Sequence, residues 1–234
     1  SSSSVRCLFP DSFNNIWAGT WGGGINFLSR DSSLFNVYNY SPIPTAERNL
    51  TDKMISTVCV DQDGVLWIGT NGGDINVFSK GKRVAIYGAD DGDLNGNPVQ
   101  ASLCDTKGNL WFGNSDGSLT CYYKKERSFK ILRLITEDGD LNKSSVWALF
   151  LDSKGRFWIG THKGLWLFDR ETNRGKKIHF KVSGLQNLSP LYIRAMAETD
   201  DHTLWLGTAN YGICKVINEK ELQTGYEKKY GMVE

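Results

Sequence analysis

The 234-residue chain is poor in the residues that usually announce chemistry, with three His, three Met and five Pro. Its cysteines are odd in number, and Cys7, Cys59, Cys104, Cys121 and Cys214 are scattered with no C-x-x-C among them. Most fall inside apolar runs, where a free Cys behaves as a small hydrophobe, so buried thiols are expected and no redox compartment is fixed. Charge is balanced: 27 Lys and Arg against 26 Asp and Glu, without a basic cluster. The electrostatic footprint of a nucleic-acid binder is missing. No apolar run approaches the roughly 18 residues that a membrane helix needs. Metal-ligand spacing, a nucleophile elbow and a phosphate loop are also absent. Gly22-Gly23-Gly24 reads as a turn between two strands and opens no helix, which excludes a dinucleotide site. The chain starts on Ser1-Ser2-Ser3-Ser4, with no initiator Met and no signal peptide, and reads as an excised or processed piece.

What the chain has is glycine, tryptophan and repetition. Trp17, Trp67, Trp111, Trp158 and Trp205 lie 50, 44, 47 and 47 residues apart, each inside a phrase like Gly64-Val65-Leu66-Trp67-Ile68-Gly69-Thr70. Six residues upstream stand Asp11, Asp61, Asp105 and Asp152, with Thr199 as the departure. Three residues upstream stand Asn14, Gly64, Gly108, Gly155 and His202. Val5, Ile55, Val99, Val146 and Ile193 recur twelve residues upstream, and Ile25, Ile75, Leu119, Leu165 and Ile213 seven or eight downstream. A repeat of this length is the signature of propeller blades.

Each period holds short runs rich in Val, Ile, Leu, Phe, Tyr and Trp between Gly, Asn and Asp, which is the language of strands and turns. Asp-x-x-Gly reads as a tight hairpin in which Asp accepts turn N–H groups and Gly takes a positive φ. The Trp-bearing run is apolar on both faces (Leu66-Trp67-Ile68, Phe157-Trp158-Ile159), so it needs a sheet packed on each side. Radially stacked four-stranded sheets supply that. The expected fold is an all-β propeller of five four-stranded antiparallel blades, one domain over 1–234, with blades at about 1–48, 49–95, 96–142, 143–188 and 189–234. The outer strands of the last two blades are expected at Lys177–Phe180 and Tyr226–Tyr230, and the Gly two residues after each Trp is expected to admit a neighbouring blade.

The phrase D-x-x-G-x-L-W-I-G-T-x-x-G-G-[IL]-x-x-[FY] resembles the two-component regulator propeller repeat, and the resemblance covers the whole chain. It implies the periplasmic sensor part of an inner-membrane hybrid histidine kinase and response regulator, in which such repeats often build seven-bladed propellers. Five blades could close a small ring or form an arc of a larger one; the arc is the favoured reading, and it predicts association through exposed blade faces. The resemblance further implies an oligosaccharide or other polar metabolite as ligand and a homodimer in the full-length protein. No cofactor, metal or nucleic acid is implied for this chain, and the membrane is reached only through other segments. Kinase activity belongs to the parent protein, so this chain is read as non-enzymatic. The alternatives are a protein-binding scaffold and a lyase-like enzyme using His162.

In a repeat protein, shared positions hold the fold, and variation at a fixed position is where function is sought. Two such positions stand out. One is the loop after each x-Trp-x-Gly: Trp21, Asn71, Ser115 with Asp116, His162 with Lys163, and Asn210 with Tyr211. The other is the second residue of each inner strand: Arg6, Ser56, Gln100, Trp147 and Arg194. Both are expected at the mouth of a central channel, the usual ligand face of a looped scaffold. Arg6, Trp21, Asn71, Gln100, Trp147, His162, Arg194 and Tyr211 are therefore the candidate ligand-binding residues, with Trp rings for sugar faces and polar groups for hydroxyls. In a closed five-bladed ring Arg6 and Arg194 would be neighbours able to share a carboxylate or sulfate.

Overall fold

The computed structural model describes residues 4–11, 15–29, 35–41, 49–90, 94–136, 141, 144–182, 190–218 and 221–223. Among them there is no helix; the strands form five sheets, one per period. Blade 1 is β1 (Val5–Pro10), β2 (Ile16–Thr20), β3 (Ile25–Leu28) and β4 (Phe35–Tyr38). Blade 2 is β5 (Ile55–Val60), β6 (Leu66–Thr70), β7 (Ile75–Ser79) and β8 (Lys82–Tyr87). Blade 3 is β9 (Val99–Cys104), β10 (Leu110–Asn114), β11 (Leu119–Tyr123) and β12 (Ser128–Leu132). Blade 4 adds β13 (Ile135–Thr136) to β14 (Val146–Leu151), β15 (Phe157–Thr161), β16 (Gly164–Asp169) and β17 (Arg174–Ile178). Blade 5 adds β18 (Lys181–Val182) to β19 (Ile193–Glu198), β20 (Leu204–Thr208), β21 (Ile213–Asn218) and β22 (Glu221–Gln223). Two compact units result: Ser1–Asn114 with Thr120–Ile131 carries blades 1 to 3, and Ser115–Leu119 with Leu132–Glu234 carries blades 4 and 5.

Every period is an antiparallel meander, but the last two blades depart from four strands. The connection before blade 4 lays β13 parallel to the outer strand β17, and the connection before blade 5 lays β18 parallel to β22. Strand β17 also begins three residues before the expected Lys177. Asp169 explains the shift: its Oδ1 accepts the Glu171 and Thr172 N–H groups at 2.8 and 3.3 Å, its Oδ2 accepts the Thr172 hydroxyl at 2.7 Å, and Asn173 takes φ 55°. That compact turn returns the chain to the sheet early. In blade 5 pairing likewise starts early, at Glu221–Gln223; the expected strand Tyr226–Tyr230 lies outside the described residues.

One carboxylate organises each inner hairpin. Asp61 Oδ1 accepts the N–H groups of Asp63 and Val65 at 2.9 and 3.0 Å, Asp105 Oδ1 those of Lys107 and Asn109 at 2.9 Å each, and Asp152 Oδ1 those of Lys154 and Arg156 at 3.1 and 2.8 Å. Gly64, Gly108 and Gly155 follow at φ 75, 81 and 75°. The second carboxylate oxygen accepts the indole N–H of the repeat Trp: Trp17 to Asp11 at 3.2 Å, Trp67 to Asp61 at 3.4 Å, Trp111 to Asp105 at 3.0 Å and Trp158 to Asp152 at 2.9 Å. Blade 5 reaches the same end with different residues. There Trp205 donates to the Thr199 hydroxyl at 3.3 Å, that hydroxyl donates to Asp201, and Asp201 accepts the Thr203 N–H, while His202 holds the left-handed position at φ 61°.

The repeat glycines do what close stacking requires. A Cβ on Gly69 would come within 2.6 Å of Val99 Cγ1 in blade 3, one on Gly160 within 2.6 Å of Ile193 Cγ2 in blade 5, and one on Gly19 within 3.0 Å of Ile55 Cγ2 in blade 2. The core lies between sheets: Ile25, Tyr38, Ile55, Leu66 and Ile68 are buried between blades 1 and 2, and Trp158, Leu165, Ile193, Leu204 and Leu206 between blades 4 and 5. Strands β6, β10 and β15 are buried along both faces, as their sequences require. All five cysteines are free thiols. Burial raises the pKa of Cys7 to about 11 and of Cys59 and Cys121 to about 12, which keeps them protonated and poorly nucleophilic.

Asp152 supplies the test of the hairpin. Burial opposes its ionisation, yet hydrogen bonds from the Trp158 indole and from Arg156 outweigh that and hold its pKa below the ordinary 3.8. The sign follows: the stability it contributes is fully present above the unfolded value and is lost as pH falls through the lower folded one. Asp152→Ala strands two turn N–H groups and an indole, and urea unfolding is expected to register a loss of about 3 kcal/mol. Thr199→Ala removes the indole's acceptor and a hydroxyl donated to the Asp201 carboxylate, but at an exposed turn, and is expected to cost about 1 kcal/mol.

Candidate functional site

The second position of each inner strand is a β-bulge. In β1 the pairing with β2 runs Val5↔Thr20 and then Cys7↔Gly19, skipping Arg6. The same skip passes over Ser56 between Ile55 and Thr57, Gln100 between Val99 and Ala101, Trp147 between Val146 and Ala148, and Arg194 between Ile193 and Ala195. A bulged residue is freed from the ladder, and its side chain is re-aimed. The five variable residues singled out in the sequence are thus the five bulges.

The second variable position sits at the same end of the same hairpins. The Trp21 N–H donates to the Ser4 carbonyl at 2.9 Å, the Asn71 N–H to Met54 at 3.0 Å and the Ala209 N–H to Tyr192 at 2.9 Å, so in blades 1, 2 and 5 the loop after x-Trp-x-Gly-Thr leaves from beside the start of the inner strand. The Thr hydroxyl closes that loop, bonding to Gly24 O at 2.8 Å, Asp74 O at 3.1 Å, Gly164 O at 3.1 Å and Gly212 O at 2.8 Å.

In the first unit, β1, β5 and β9 lie side by side, which lines up the bulges of Arg6, Ser56 and Gln100. The Arg6 guanidinium lies over the exposed Trp21 ring, 4.3 Å from its centroid. Asn71 is half-buried with its backbone held by Met54. Gln100 Oε1 is buried and makes no hydrogen bond to any described residue.

In the second unit β14 and β19 are neighbours, and their bulges touch. The Arg194 guanidinium stacks on Trp147, 3.3 Å from the ring centroid, and the His162 ring lies 5.8 Å from Trp147. Desolvation first, and the neighbouring Lys163 charge second, lower the His162 pKa below 6.5, so the imidazole is neutral at pH 7. Tyr192, absent from the sequence-based set, joins the group: it is exposed, and its ring meets His162 edge-on at 6.4 Å. Its position just ahead of the inner strand and opposite Ala209 was the available signal. Tyr211, by contrast, packs on the core cluster of Leu191, Ile193 and Leu206. Asn210 staples the loop, donating to Pro190 O at 2.9 Å and accepting the Tyr192 N–H at 3.1 Å. Asp116 is committed to Ser118, at 2.6 Å from its hydroxyl, and to Arg133 at 3.6 Å.

The aromatic faces are therefore not bare platforms. Trp21 and Trp147 each carry a guanidinium, which fixes an Arg plane at the bulge. Arg6 and Arg194 belong to different units, each with its own indole. At the opposite end of blades 4 and 5 a Ser–His–carboxylate group forms, with Ser153 Oγ 2.9 Å from His202 Nδ1 and 2.9 Å from Glu198 Oε1. It is not a nucleophilic triad, because Ser153 and Glu198 (4.0 Å from His202 Nδ1) meet the same ring nitrogen. Among the described residues no cluster of His, Cys, Asp or Glu could hold a metal ion.

The family model described as "Two component regulator propeller" matches residues 1–22, 49–72, 93–116, 140–163 and 187–210. Among solved structures, the extracellular domain of BT3049 from B. thetaiotaomicron, described as a hybrid two-component system, is 36% identical with a TM-score of 0.65, over 98% of this chain and 29% of that one. The extracellular domain of BT4673 from the same organism is 19% identical with a TM-score of 0.73, over 96% of this chain and 28% of that one. Virginiamycin B lyase from Staphylococcus aureus is 14% identical with a TM-score of 0.69, over 95% of this chain and 70% of that one, a likeness of fold. The chain thus spans less than a third of each of the two extracellular domains. No curated protein sequence matches it.

Titration of His162 tests the electrostatics of the group. Its NMR midpoint is expected below 6.5, moving upward in Lys163→Gln. As pH falls through the ordinary histidine range the unfolded chain takes the proton first, so this residue lowers stability on acidification. A midpoint at or above 6.5 would show that the ring is solvated and remote from Lys163.

Proposed function

The chain belongs to the two-component regulator propeller family, and we propose that it acts as an extracytoplasmic ligand-sensing module of a hybrid two-component system, recognising an oligosaccharide or another polar metabolite. The observation that carries the reading is the coincidence of variation with geometry. The residues that differ between otherwise like blades are the bulged ones and those of the adjoining loop, and in blades 4 and 5 they gather Trp147, Arg194 and His162 into one group. Flat aromatic edges, an oriented guanidinium and a neutral imidazole suit a ligand with ring faces and many acceptor oxygens. No covalent step is needed for sensing. Differential binding to two arrangements of a larger receptor would shift their populations, and a transmembrane partner in a homodimeric protein would read the shift. On this reading the compartment is the periplasm, and the kinase chemistry lies elsewhere in the receptor.

Thermal melting against a panel of neutral and acidic oligosaccharides tests the reading. One class is expected to raise Tm by about 5 °C or more at a hundredfold excess over Kd. Trp147→Ala and Arg194→Ala are expected to abolish that rise while retaining a cooperative melt. A panel without any shift, or a shift untouched by both substitutions, would sink the assignment of this group as the binding site.

A further inference from the structure

The inner strands β5 and β9 lie side by side within one compact unit, blade 2 against blade 3. Three contacts fix how they face. At the mouth end the first residue of β9 is a knob: Val99 fills the space over Gly69, the partner of Thr57 in the ladder. In the middle the Thr57 and Ser102 hydroxyls share a hydrogen bond of 2.6 Å. Beyond the strands Gln62 Nε2 donates to the Asp105 and Thr106 carbonyls at 3.5 and 3.2 Å. The two strands therefore run in the same direction and in step.

Two residues past the hydroxyl pair stand Cys59 and Cys104. Side chains alternate along a strand, so Cys59 projects on the side of Thr57 and Cys104 on the side of Ser102. Both pack in the apolar cluster between the two blades. Each thiol meets a group of the opposite blade: Cys59 the Ser102 hydroxyl, and Cys104 the Gln62 backbone N–H. The equivalent residues of blades 1 and 2 are Phe9 and Val60, which share one cluster and show the same facing. Cysteine stands fifth in an inner strand only in blade 2 and sixth only in blade 3, and those two positions are the ones that face each other.

We propose that Cys59 and Cys104 are a disulfide site, whose closure ties blade 2 to blade 3 at the end of the sheet away from the bulges. The structure holds the reduced form, with both thiols free. A low-molecular-weight disulfide supplies the oxidant. Cys104, half-buried where Cys59 is 4% exposed, attacks it as a thiolate and releases one small thiol. Cys59 then attacks the Cys104 sulfur of the mixed disulfide and releases the second. The chain loses two protons and two electrons, and one small disulfide becomes two thiols. Proximity offsets the poor nucleophilicity of the buried Cys59. The same burial, which raises its pKa to about 12, makes it a poor leaving group, so the closed bond exchanges slowly with external thiols.

Peptide mapping without reductant tests this on the whole chain, both incubated natively with oxidised glutathione and refolded in it. Trypsin is expected to release Met54–Lys80 and Val84–Lys107 as one species, from protein of single-chain mass, about 2 Da lighter than the two reduced peptides together. Cys104→Ser is expected to lose that species while Cys7, Cys121 and Cys214 stay reduced. Closure is expected to raise the Tm of the wild-type chain by roughly 5 to 10 °C, with no rise in Cys104→Ser. Five free thiols after both treatments overturn the proposal. So does a glutathione adduct that remains on Cys104 without closing, or a link between any other two cysteines.

Discussion

The hydrogen bond from indole to carboxylate, repeated blade after blade, is the constraint on which the rest depends. A buried carboxylate such as Asp152 or Asp105 is tolerable only when its lone pairs are satisfied. Here one oxygen is satisfied by two turn amides and the other by the Trp of the next strand. The same side chain therefore folds the hairpin and fixes the rotamer of the largest residue in the blade. Blade 5 shows that the chemistry is required and the residue is not. Thr199 accepts the indole, and Asp201, moved two places along, takes over the turn amide. The carboxylate and the indole acceptor have been divided between two side chains, at a turn that is exposed and so tolerates weaker bonding.

With Trp fixed, its two-residue neighbour Gly becomes the place where the next blade arrives. Stacked sheets can approach only where one of them lacks a Cβ, and the approach of Val99 to Gly69 and of Ile193 to Gly160 leaves no room for one. The pattern D-x-x-G-x-x-W-x-G-T is thus a chain of dependent steps: turn, indole, gap, knob. Each element is local in sequence except the last, which joins residues about one period apart.

That dependence explains what the sequence disclosed. The inner three strands of each blade were legible because turn chemistry and apolar patterning both act over a few residues. The indole bond was not foreseen, because a Trp six residues from an Asp has no periodic signature. The outer strands were harder: β17 and β22 are polar, and turn chemistry sets where β17 begins, as the Asp169 turn shows. Strands β13 and β18 come from the long connections and are two residues long each, too short for side-chain patterning to reveal them. At the mouth, variation between blades located the bulges without any knowledge that bulges were there. It could not locate Tyr192, nor tell that Tyr211 packs on the core cluster of blades 4 and 5, because side-chain direction at a loop depends on the neighbouring blade.

A bulged residue pairs with nothing in the ladder, so its identity is released from the demands that hold the repeat. Arg, Ser, Gln, Trp and Arg at Arg6, Ser56, Gln100, Trp147 and Arg194 differ in volume, charge and polarity, yet the pairing on either side of each is the same. Stability is invested one residue away, in Val or Ile knobs and in the Trp–Asp clasp at the far end of the hairpin. Recognition and folding are therefore carried by adjacent residues with opposite constraints. Such a scaffold can change what it binds at Trp147 or Arg194 without disturbing how Val146 and Ile193 pack.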